Sequence, residues 1–204
     1  NIKSDFINGL RVTDKNTIDI VEDILIEFNK EIVNALKDQS CKTRRITSKE
    51  YNVITVKPES DKLGFVGTPT HIKTNVLKKI IEANEVPVVA PLGLDKNNQT
   101  FNINADTVAG SIAKELRARR LMIISDVEGV LDSEKKLIPE IDTSEAKRLI
   151  DQEIISGGMI PKINNCLDVA SNGVKGVVII DGRKNHSLLF ELLSDKGSGT
   201  LIRE

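Results

Sequence analysis

The sequence predicts an α/β fold in which helices cover both faces of a mainly parallel sheet. Apolar runs of strand type alternate along the chain with helical patterns, as they do in proteins built from βαβ units. Runs such as residues 121–124 and 176–180 are apolar without interruption, which is typical of strands buried on both faces. The 204 residues show no repeats, low-complexity tracts or linkers, so we expect one layered domain.

The order of the elements follows from apolar spacing and from capping residues. Thr13 and Asp14 are typical helix caps and precede a helix predicted from Asn16 to Lys37. The first half continues with a strand at 53–56, a glycine-punctuated connection at 63–67, a helix at 70–83, a strand at 86–91 and a helix at 107–118. The second half contains a strand at 121–125, helices at 143–155 and 160–171, a strand at 176–181 and a helix at 187–193.

The first helix carries a wide apolar surface. Apolar residues recur at spacings of three and four and form one continuous stripe: Ile18, Val21, Leu25, Phe28, Ile32 and Leu36. Ile20, Ile24 and Val33 widen the stripe beyond what a one-sided surface helix needs. Such a helix either crosses a core or packs against a second copy of itself. The length of the stripe favours the subunit contact, so we expect a homo-oligomer.

Composition excludes several classes of protein. A net charge of −1 provides no overall field that would recruit nucleic acid or an anionic membrane. No apolar run approaches the roughly 18 residues of a membrane span, and no signal peptide opens the chain. Cys41 and Cys166 are too few and too far apart for a disulfide framework or a metal site. We therefore expect a reducing, cytoplasmic compartment and neither a nucleic-acid nor a membrane partner.

Polar residues concentrate where a predicted strand gives way to a predicted helix. Asn102, Asn104 and Asp106 lie at the start of that helix, where free backbone N–H groups and the helix dipole favour negatively charged ligands. In an α/β protein, such a position suits a binding site for a charged small molecule. A helix cap is the alternative interpretation, but a single residue is enough for capping.

Two further segments combine glycine with charge. Ser156–Lys162 contains paired glycines, which let backbone approach a ligand, and it places Lys162 in the first turn of a helix. An ammonium group beside exposed amides can hold a transferring phosphoryl group, although a plain turn between two helices has the same composition. Ser125–Leu131 follows a strand, and its aspartate could hold ribose or magnesium or merely cap a turn.

Arg11 precedes the first helix within the segment Gly9–Asp14. Arginine matches a carboxylate through two parallel hydrogen bonds, but most isolated arginines are solvated. The sequence contains neither a P-loop ending in Lys-Ser or Lys-Thr nor a dinucleotide-binding fingerprint. A nucleotide would therefore bind through another architecture.

Each of these segments is a modest signal alone, but their order along the chain is highly specific. The ordered set closely resembles the N-acetylglutamate kinases of the amino acid kinase family, from about residue 8 to the C-terminus. The segments that carry the resemblance are Gly9–Asp14, Leu63–Gly67, Asn102–Asp106, Ser125–Leu131, Gly157–Lys162 and Ile179–Arg183.

The resemblance implies a fold, a reaction and its substrates. The fold is a three-layer α/β/α sandwich around a mainly parallel sheet, with 1–204 as a single amino acid kinase domain. Roughly 1–100 would be the remainder of the amino-acid-substrate half, and 101–204 the nucleotide-binding half. The reaction transfers the γ-phosphoryl group of ATP, bound with Mg²⁺, to the side-chain carboxylate of N-acetyl-L-glutamate. This is the second step of arginine biosynthesis, and no prosthetic group is implied.

The resemblance also implies roles for individual residues. Arg11 would hold the α-carboxylate of the substrate, and Asn102 would bind the same molecule. Lys162 matches one of two lysines that neutralise charge on the transferring phosphoryl group, and Asp106 matches the aspartate that orients those lysines. Such a site needs positioning and charge neutralisation but no covalent nucleophile.

The nucleotide pocket and a regulatory tail are implied in the same way. The residues expected to line the pocket are Ser125, Asp126, Val127, Glu128, Gly129, Val130, Leu131, Ile154, Ile155 and Ser156. Glu191 and Gly197 resemble the arginine-binding tail of feedback-inhibited members, which assemble as hexamers rather than dimers. Those members usually have a histidine at the position of Val178. The alternative for the tail is a glycine turn followed by a closing edge strand.

The chain departs from the family pattern in two places. Family members begin with a strand that ends in a lysine and glycines, and this lysine is the second catalytic lysine. They also carry a Gly-Lys-Asp segment after the long helix, where this chain has Cys41–Arg45. We therefore expect the sequence to be part of a longer protein, and we expect negligible kinase activity from these residues alone.

A protein of a different class is the alternative hypothesis. It is a non-catalytic subunit of the same fold that senses arginine or N-acetylglutamate and acts through assembly. The missing lysine segment favours this alternative. Lys162, Asp106 and Asn102 favour the kinase, because a pure sensor has no need of charge that stabilises a phosphoryl group.

Overall fold

The computed structural model describes residues 6–7, 10–195 and 197–204 of the chain. The chain divides into two units, Asn1–Val108 and Ala109–Glu204, and the division falls inside one helix. Gly9, which belongs to the predicted segment Gly9–Asp14, lies outside the described residues.

The first unit is built on a mixed four-stranded sheet. Its elements are β1 (Phe6–Ile7), β2 (Leu10–Arg11), α1 (Lys15–Asp38), β3 (Thr43–Ile46), β4 (Ile54–Pro58), β5 (Gly67–Ile72), α2 (Thr74–Glu82), β6 (Val86–Val89), β7 (Leu92–Leu94), β8 (Thr100–Asn102) and the start of α3 (Ala105–Leu116). The strand order is β5-β4-β7-β8, with a parallel pair at the centre and an antiparallel strand at each edge. β3 and β6 form a separate parallel pair, and β1 and β2 an antiparallel pair.

The second unit contains another mixed four-stranded sheet. Its elements are β9 (Leu121–Ser125), β10 (Glu140–Ile141), α4 (Thr143–Asp151), α5 (Met159–Ser171), β11 (Val177–Asp181), α6 (Ser187–Leu193) and β12 (Gly199–Ile202). The strand order is β10-β12-β11-β9, in which β11 and β12 are antiparallel and the other two pairs are parallel. Strands and helices alternate along both units, and the predicted α/β class is confirmed.

The start of α1 confirms the predicted cap. The carboxylate of Asp14 accepts a hydrogen bond from the backbone N–H of Thr17 at 2.7 Å, which satisfies one donor of the first turn. Hydrogen bonds from the side chain and then the backbone N–H of Thr17 hold the pKa of Asp14 below its usual range, because they favour the ionised carboxylate.

The apolar residues of α1 are divided between a buried face and an exposed face, whereas the spacing indicated one continuous stripe. Four large apolar side chains of the helix are exposed: Ile20, Ile24, Phe28 and Ile32. The buried face instead consists of Ile18, Glu22, Asn29 and Val33. α1 therefore has one face in the core of the unit and a second apolar face that no other described element covers.

The two polar residues on the buried face of α1 are hydrogen-bonded to strand segments. Glu22 accepts hydrogen bonds from the hydroxyl groups of Ser48 and Thr100, the latter at 2.9 Å. The side-chain amide of Asn29 donates to the carbonyl oxygen of Val88 at 2.8 Å. These contacts satisfy the Glu22 carboxylate and the amide nitrogen of Asn29, whereas the buried amide oxygen of Asn29 has no hydrogen-bond partner among the described residues.

Two predicted helices differ in extent from the structure. Residues 70–72 belong to β5, because β5 pairs antiparallel with β4 as far as Ile72, and α2 begins only at Thr74. The helix predicted at 143–155 ends at Asp151. After it, the backbone N–H groups of Ile154 and Ile155 donate back to the carbonyl of Leu149, so these residues fold into a turn.

The C-terminal strand also differs from the edge strand that the tail pattern suggested. β12 lies in the interior of the second sheet, between β10 and β11. Its residues Thr200 and Ile202 are fully buried, together with the core residues Ile163, Val177 and Ile179. Thr200 and Ile202 share one face of the strand, and on the other face Gly199 is buried and Leu201 is half-buried, so neither face of β12 is fully open to solvent.

Candidate functional site

Thr13 joins three of the predicted segments in the first unit. Thr13 is fully buried, its N–H donates to the carbonyl of Leu63 at 3.0 Å, and its carbonyl accepts from the N–H of Phe65 at 2.7 Å. The N–H of Asn102 in turn donates to the carbonyl of Phe65 at 2.9 Å. The segments that contain Thr13, Phe65 and Asn102 therefore run side by side.

Arg11 and Asn102 flank the same threonine. The side-chain amide of Asn102 lies 3.5 Å from the hydroxyl of Thr13, and this hydroxyl donates to the carbonyl oxygen of Arg11 at 3.2 Å. Asn102 is half-buried at the end of β8, whereas Arg11 is exposed on β2. The structure thus brings the backbone of Arg11 and the side-chain amide of Asn102 to the same threonine.

The start of α3 separates the capping role from the predicted binding role. The side-chain oxygen of Asn104 accepts a hydrogen bond from the N–H of Thr107 at 3.1 Å, as a helix cap does. Asp106 lies half-buried in the first turn. Capping accounts for Asn104 and not for Asn102 or Asp106, so the excess of polar residues noted in the sequence needs another explanation.

In the second unit, the predicted nucleotide loop leaves the carboxyl end of β9. Ser125 ends the strand, and Asp126 and Glu128 are exposed in the loop that follows. Val127 is half-buried against the core of the unit. Carboxyl ends of parallel strands face the ligand crevice in α/β proteins, and this loop therefore lies where a ligand is expected.

Thr200 fixes the far side of this loop. Its hydroxyl accepts from the N–H of Val130 at 2.8 Å and donates to the carbonyl of Ile138 at 2.7 Å. Gly129 has a φ of 139°, and a Cβ at this position would meet the Thr200 hydroxyl and Leu137. A side chain at Gly129 is therefore excluded both by backbone conformation and by space. Leu131 continues the loop as a bridge to Leu137.

The segment around Ser156 is open on one side. Ile155 is buried, Ile154 is half-buried and Ser156 is exposed. Nothing lies within 4 Å of a Cβ built on Gly157 or Gly158, so backbone amides here are accessible to a ligand. Lys162 follows in the first turn of α5 and is half-buried.

Asp181 and Arg183 form a contact to which the sequence assigned no role. Asp181 is buried at the end of β11, and its carboxylate accepts from the Nε and Nη2 atoms of Arg183 at 2.9 Å each. These hydrogen bonds hold the pKa of Asp181 well below its usual range, at about 2. The one signal in the sequence is an acid that ends an entirely apolar strand and precedes Gly-Arg.

Glu191 of the predicted effector tail already binds a guanidinium group of the chain. Its carboxylate lies 3.4 Å from the Nη1 atom of Arg120 and accepts from the N–H of Ser198 at 2.9 Å. Gly197 has a φ of 64°, and a Cβ on it would lie 2.7 Å from a Glu191 oxygen. Glu191 and Gly197 are thus adjacent, as the resemblance implied, but an arginine ligand would have to displace Arg120.

A separate cavity of about 540 Å³ lies in the first unit. It is lined by Tyr51, Asn52, Thr55, Lys73, Val76, Leu94, Asp95, Lys96 and Asn98. None of the predicted site residues lines it. Asp95 uses its carboxylate within its own turn, where it accepts from the N–H groups of Asn97 and Gln99 at 2.8 Å each.

The predicted catalytic pair is divided between the two units. Asp106 belongs to the first unit and Lys162 to the second. That Asp106 orients Lys162 therefore stays a prediction. No helix in the described part of the chain is long and apolar enough to cross a membrane.

The low pKa of Asp181 predicts a particular dependence of stability on pH. Because the folded pKa lies below the unfolded value, ionised Asp181 contributes its full stabilisation above about pH 5, and this contribution is lost progressively as the pH falls through about 2. We predict that Asp181→Asn lowers the urea midpoint at neutral pH. The difference in urea midpoint between this variant and the unmodified protein should become smaller as the pH falls from about 5 to about 3. A difference that stays constant over this range would show that ionisation of Asp181 is not its source.

Comparison with known proteins supplies the family. A sequence profile of the amino acid kinase family matches residues 1–181. An acetylglutamate kinase of Pelagibacter ubique is 79% identical over 204 residues, which are 100% of this chain and 71% of that protein. An acetylglutamate kinase of Nitrobacter hamburgensis is 44% identical over 217 aligned residues, covering 100% of this chain and 73% of its own length.

A solved structure agrees with these sequence relatives. The crystal structure of a Streptococcus mutans protein superposes with a TM-score of 0.85 at 29% identity. The superposition covers 99% of this chain and 78% of that one. The family profile and the two acetylglutamate kinases show that the chain belongs to the amino acid kinase family.

Proposed function

We propose that the protein transfers the γ-phosphoryl group of ATP to the side-chain carboxylate of N-acetyl-L-glutamate in arginine biosynthesis. The observation that carries the proposal is that Thr13 contacts both the Arg11 backbone and the Asn102 amide, since this brings together two residue types suited to an anionic, amide-bearing molecule. The 79% identical relative is an acetylglutamate kinase, and so is the 44% identical one. Both the site and the relatives therefore support the same substrate.

The chemistry requires charge neutralisation and positioning. A side-chain carboxylate oxygen of the substrate attacks the γ-phosphorus, a new P–O bond forms, and the bond to the β-phosphate oxygen breaks to release ADP. Negative charge spreads over the oxygens of the transferring group, and a fixed cation stabilises it. Lys162, in the first turn of α5 beside the open amides of Gly157 and Gly158, is suited to this role.

The two substrate residues divide the recognition of N-acetyl-L-glutamate. The exposed guanidinium of Arg11 can bind the α-carboxylate through two parallel hydrogen bonds. The half-buried amide of Asn102 can both donate and accept, which matches a carboxylate and an acetamide equally well. Because both residues flank Thr13, they would hold the substrate through its α-carboxylate and its acetamido group. The side-chain carboxylate of the substrate would then stay available for reaction.

The nucleotide is assigned to the second unit. The loop from Ser125 to Leu131 and the segment from Ile154 to Ser156 combine half-buried apolar residues with exposed polar groups. ATP would enter as its magnesium complex, with the ion carried on the phosphates as part of the substrate. Asp126 is an exposed carboxylate of the type that Mg²⁺ accepts beside phosphate oxygens, whereas the carboxylate of Glu128 is paired with Lys184.

Calorimetric titration of the intact protein tests the assignment of the amino-acid site. We expect N-acetyl-L-glutamate to bind more tightly in the presence of a magnesium complex of a non-hydrolysable ATP analogue. Arg11→Ala should weaken binding of N-acetyl-L-glutamate by about tenfold or more, because a charged hydrogen bond to the carboxylate is lost. Binding of the ATP analogue should not change. If Arg11→Ala weakened binding of the ATP analogue instead, the assignment of the two pockets would be wrong.

Steady-state kinetics test the role of Lys162. Lys162→Ala should lower kcat by about 10² or more while both KM values stay within a few-fold, because the ammonium group acts mainly on charge in the transition state. Lys175→Ala is the matched control, since Lys175 is an exposed lysine of the same unit away from the proposed site. An unchanged kcat in Lys162→Ala would remove this residue from the mechanism.

The exposed face of α1 supports a homo-oligomer. Ile20, Ile24, Phe28 and Ile32 recur every four residues and leave an apolar stripe on the surface of the unit. A two-fold axis across the middle of this stripe would place Ile24 of one copy against Phe28 of the other, which is the self-complementarity that an isologous contact needs. We infer that a second copy of the chain covers this face.

Sedimentation velocity tests this contact. Ile24→Glu should convert the oligomer to monomers or to a smaller assembly, because a carboxylate would be buried without a partner at the centre of the contact. Ile81→Glu is the matched control, since Ile81 is an exposed isoleucine of α2 in the same unit. Equal sedimentation of Ile24→Glu and the unmodified protein would place the contact elsewhere.

L-Arginine, as an effector, would compete with the chain itself. The Glu191 carboxylate that would bind its guanidinium group is occupied by Arg120. We infer that arginine acts on this protein only by displacing Arg120. Feedback-inhibited members usually have a histidine where this chain has Val178, and valine cannot provide the polar contact of that histidine.

A further inference from the structure

We propose that Arg183 binds the phosphate groups of the nucleotide and that Asp181 is the positioning residue that aims it. The inference rests on the proposed function, because it adds a residue to the nucleotide site of the second unit. It concerns the segment after β11, which is distinct from the nucleotide segments identified in the sequence.

The two loops involved leave the sheet next to each other. β9 and β11 are parallel neighbours, and Asp181 is the register partner of Ser125. The N–H of Gly182 donates to the carbonyl of Ser125 at 2.8 Å, which extends the pairing one residue beyond the strand. Arg183 therefore starts from the same edge of the sheet as the predicted nucleotide loop, at the carboxyl ends of the strands.

The guanidinium group of Arg183 is held on one side and open on the other. Its Nε and Nη2 atoms donate to the two carboxylate oxygens of Asp181, and its backbone N–H donates to the same carboxylate at 2.9 Å. Within the described residues, Nη1 makes no hydrogen bond. The side chain of Arg183 is 63% exposed, whereas that of Asp181 is 3% exposed. Two N–H groups thus point away from a buried anchor.

Carboxylates surround Arg183, so binding of an anionic ligand at the open side would depend on the guanidinium group itself. Asp126 and Glu128 of the neighbouring loop lie close enough to raise the pKa of Arg183, although the contact with Asp181 is the main cause. Glu128 is already paired with Lys184 at 3.0 Å. An incoming polyphosphate would meet the carboxylates of this loop, and a cation with free N–H groups beside them offsets that repulsion.

The buried anchor explains why arginine rather than lysine suits the position. Asp181 binds one edge of the planar guanidinium and leaves the other edge in a fixed orientation, which a single ammonium group cannot provide. The arginine loses its side-chain freedom on folding rather than on binding, so less entropy is lost when the nucleotide arrives. The ion pair between Lys184 and Glu128 fixes the two loops to each other in the same way.

The test compares two ligands on the intact protein by calorimetry. One is the magnesium complex of a non-hydrolysable ATP analogue, and the other is adenosine, which has no phosphate. We expect Arg183→Ala to weaken binding of the analogue by about tenfold or more and to leave the affinity for adenosine within about twofold of the unmodified protein. Arg183→Lys should restore part of the affinity. Asp181→Asn should also weaken binding of the analogue although Arg183 is retained, because the carboxylate that orients the guanidinium group is lost.

A matched control and three outcomes make the test decisive. Arg203→Ala removes an arginine of similar exposure in the same unit, paired with Glu140 at 3.3 Å. This variant should bind both ligands with unchanged affinity. Unchanged affinity for the analogue in Arg183→Ala would overturn this inference alone. An equal loss of affinity for adenosine would overturn the proposed phosphate contact, because Arg183 would then contact the nucleoside. If the unmodified protein bound neither ligand, the proposed function itself would fail.

Discussion

The backbone hydrogen bonds of Thr13 are the constraint on which the amino-acid site depends. Both main-chain groups of this buried residue are bonded to the connection that contains Leu63 and Phe65. A buried main-chain group without a partner costs about 1–3 kcal/mol, so this connection cannot move away from Thr13 without a large loss of stability. Asn102 is bonded to the same connection, and the spacing of Arg11 and Asn102 is therefore fixed by backbone rather than by flexible side chains.

The second unit applies the same principle with side chains. Thr200 and Asp181 are buried polar residues, and each is bonded to a loop that leaves the sheet. Buried in a low-dielectric interior, such groups are stable only when their partners are in place, and they therefore specify loop conformation strongly. The loops can be solvated and still be held in one arrangement, as a site for a charged nucleotide requires.

Local chemistry made much of the fold predictable. The Asp14 cap, the strand β9 and the helix α6 follow from residues a few positions apart, and each was found with the predicted bounds or within two residues of them. The helix predicted at 70–83 was wrong in its first residues because these residues belong to β5, in which His71 and Ile72 pair with β4, a partner distant in the sequence. Side-chain spacing alone carries no information about such a partner.

The α/β class, the family and the polar segments of the candidate site follow from the amino-acid sequence alone. Which of these segments touch is known only from the fold: Arg11 and Asn102 meet through Thr13, and Arg183 is hydrogen-bonded to Asp181. In the fold, Phe28 and Ile32 also face outward while Glu22 and Asn29 face inward. The physical reason is that periodicity identifies an apolar face, whereas burial of a polar residue depends on hydrogen-bond partners that other elements bring from far along the chain.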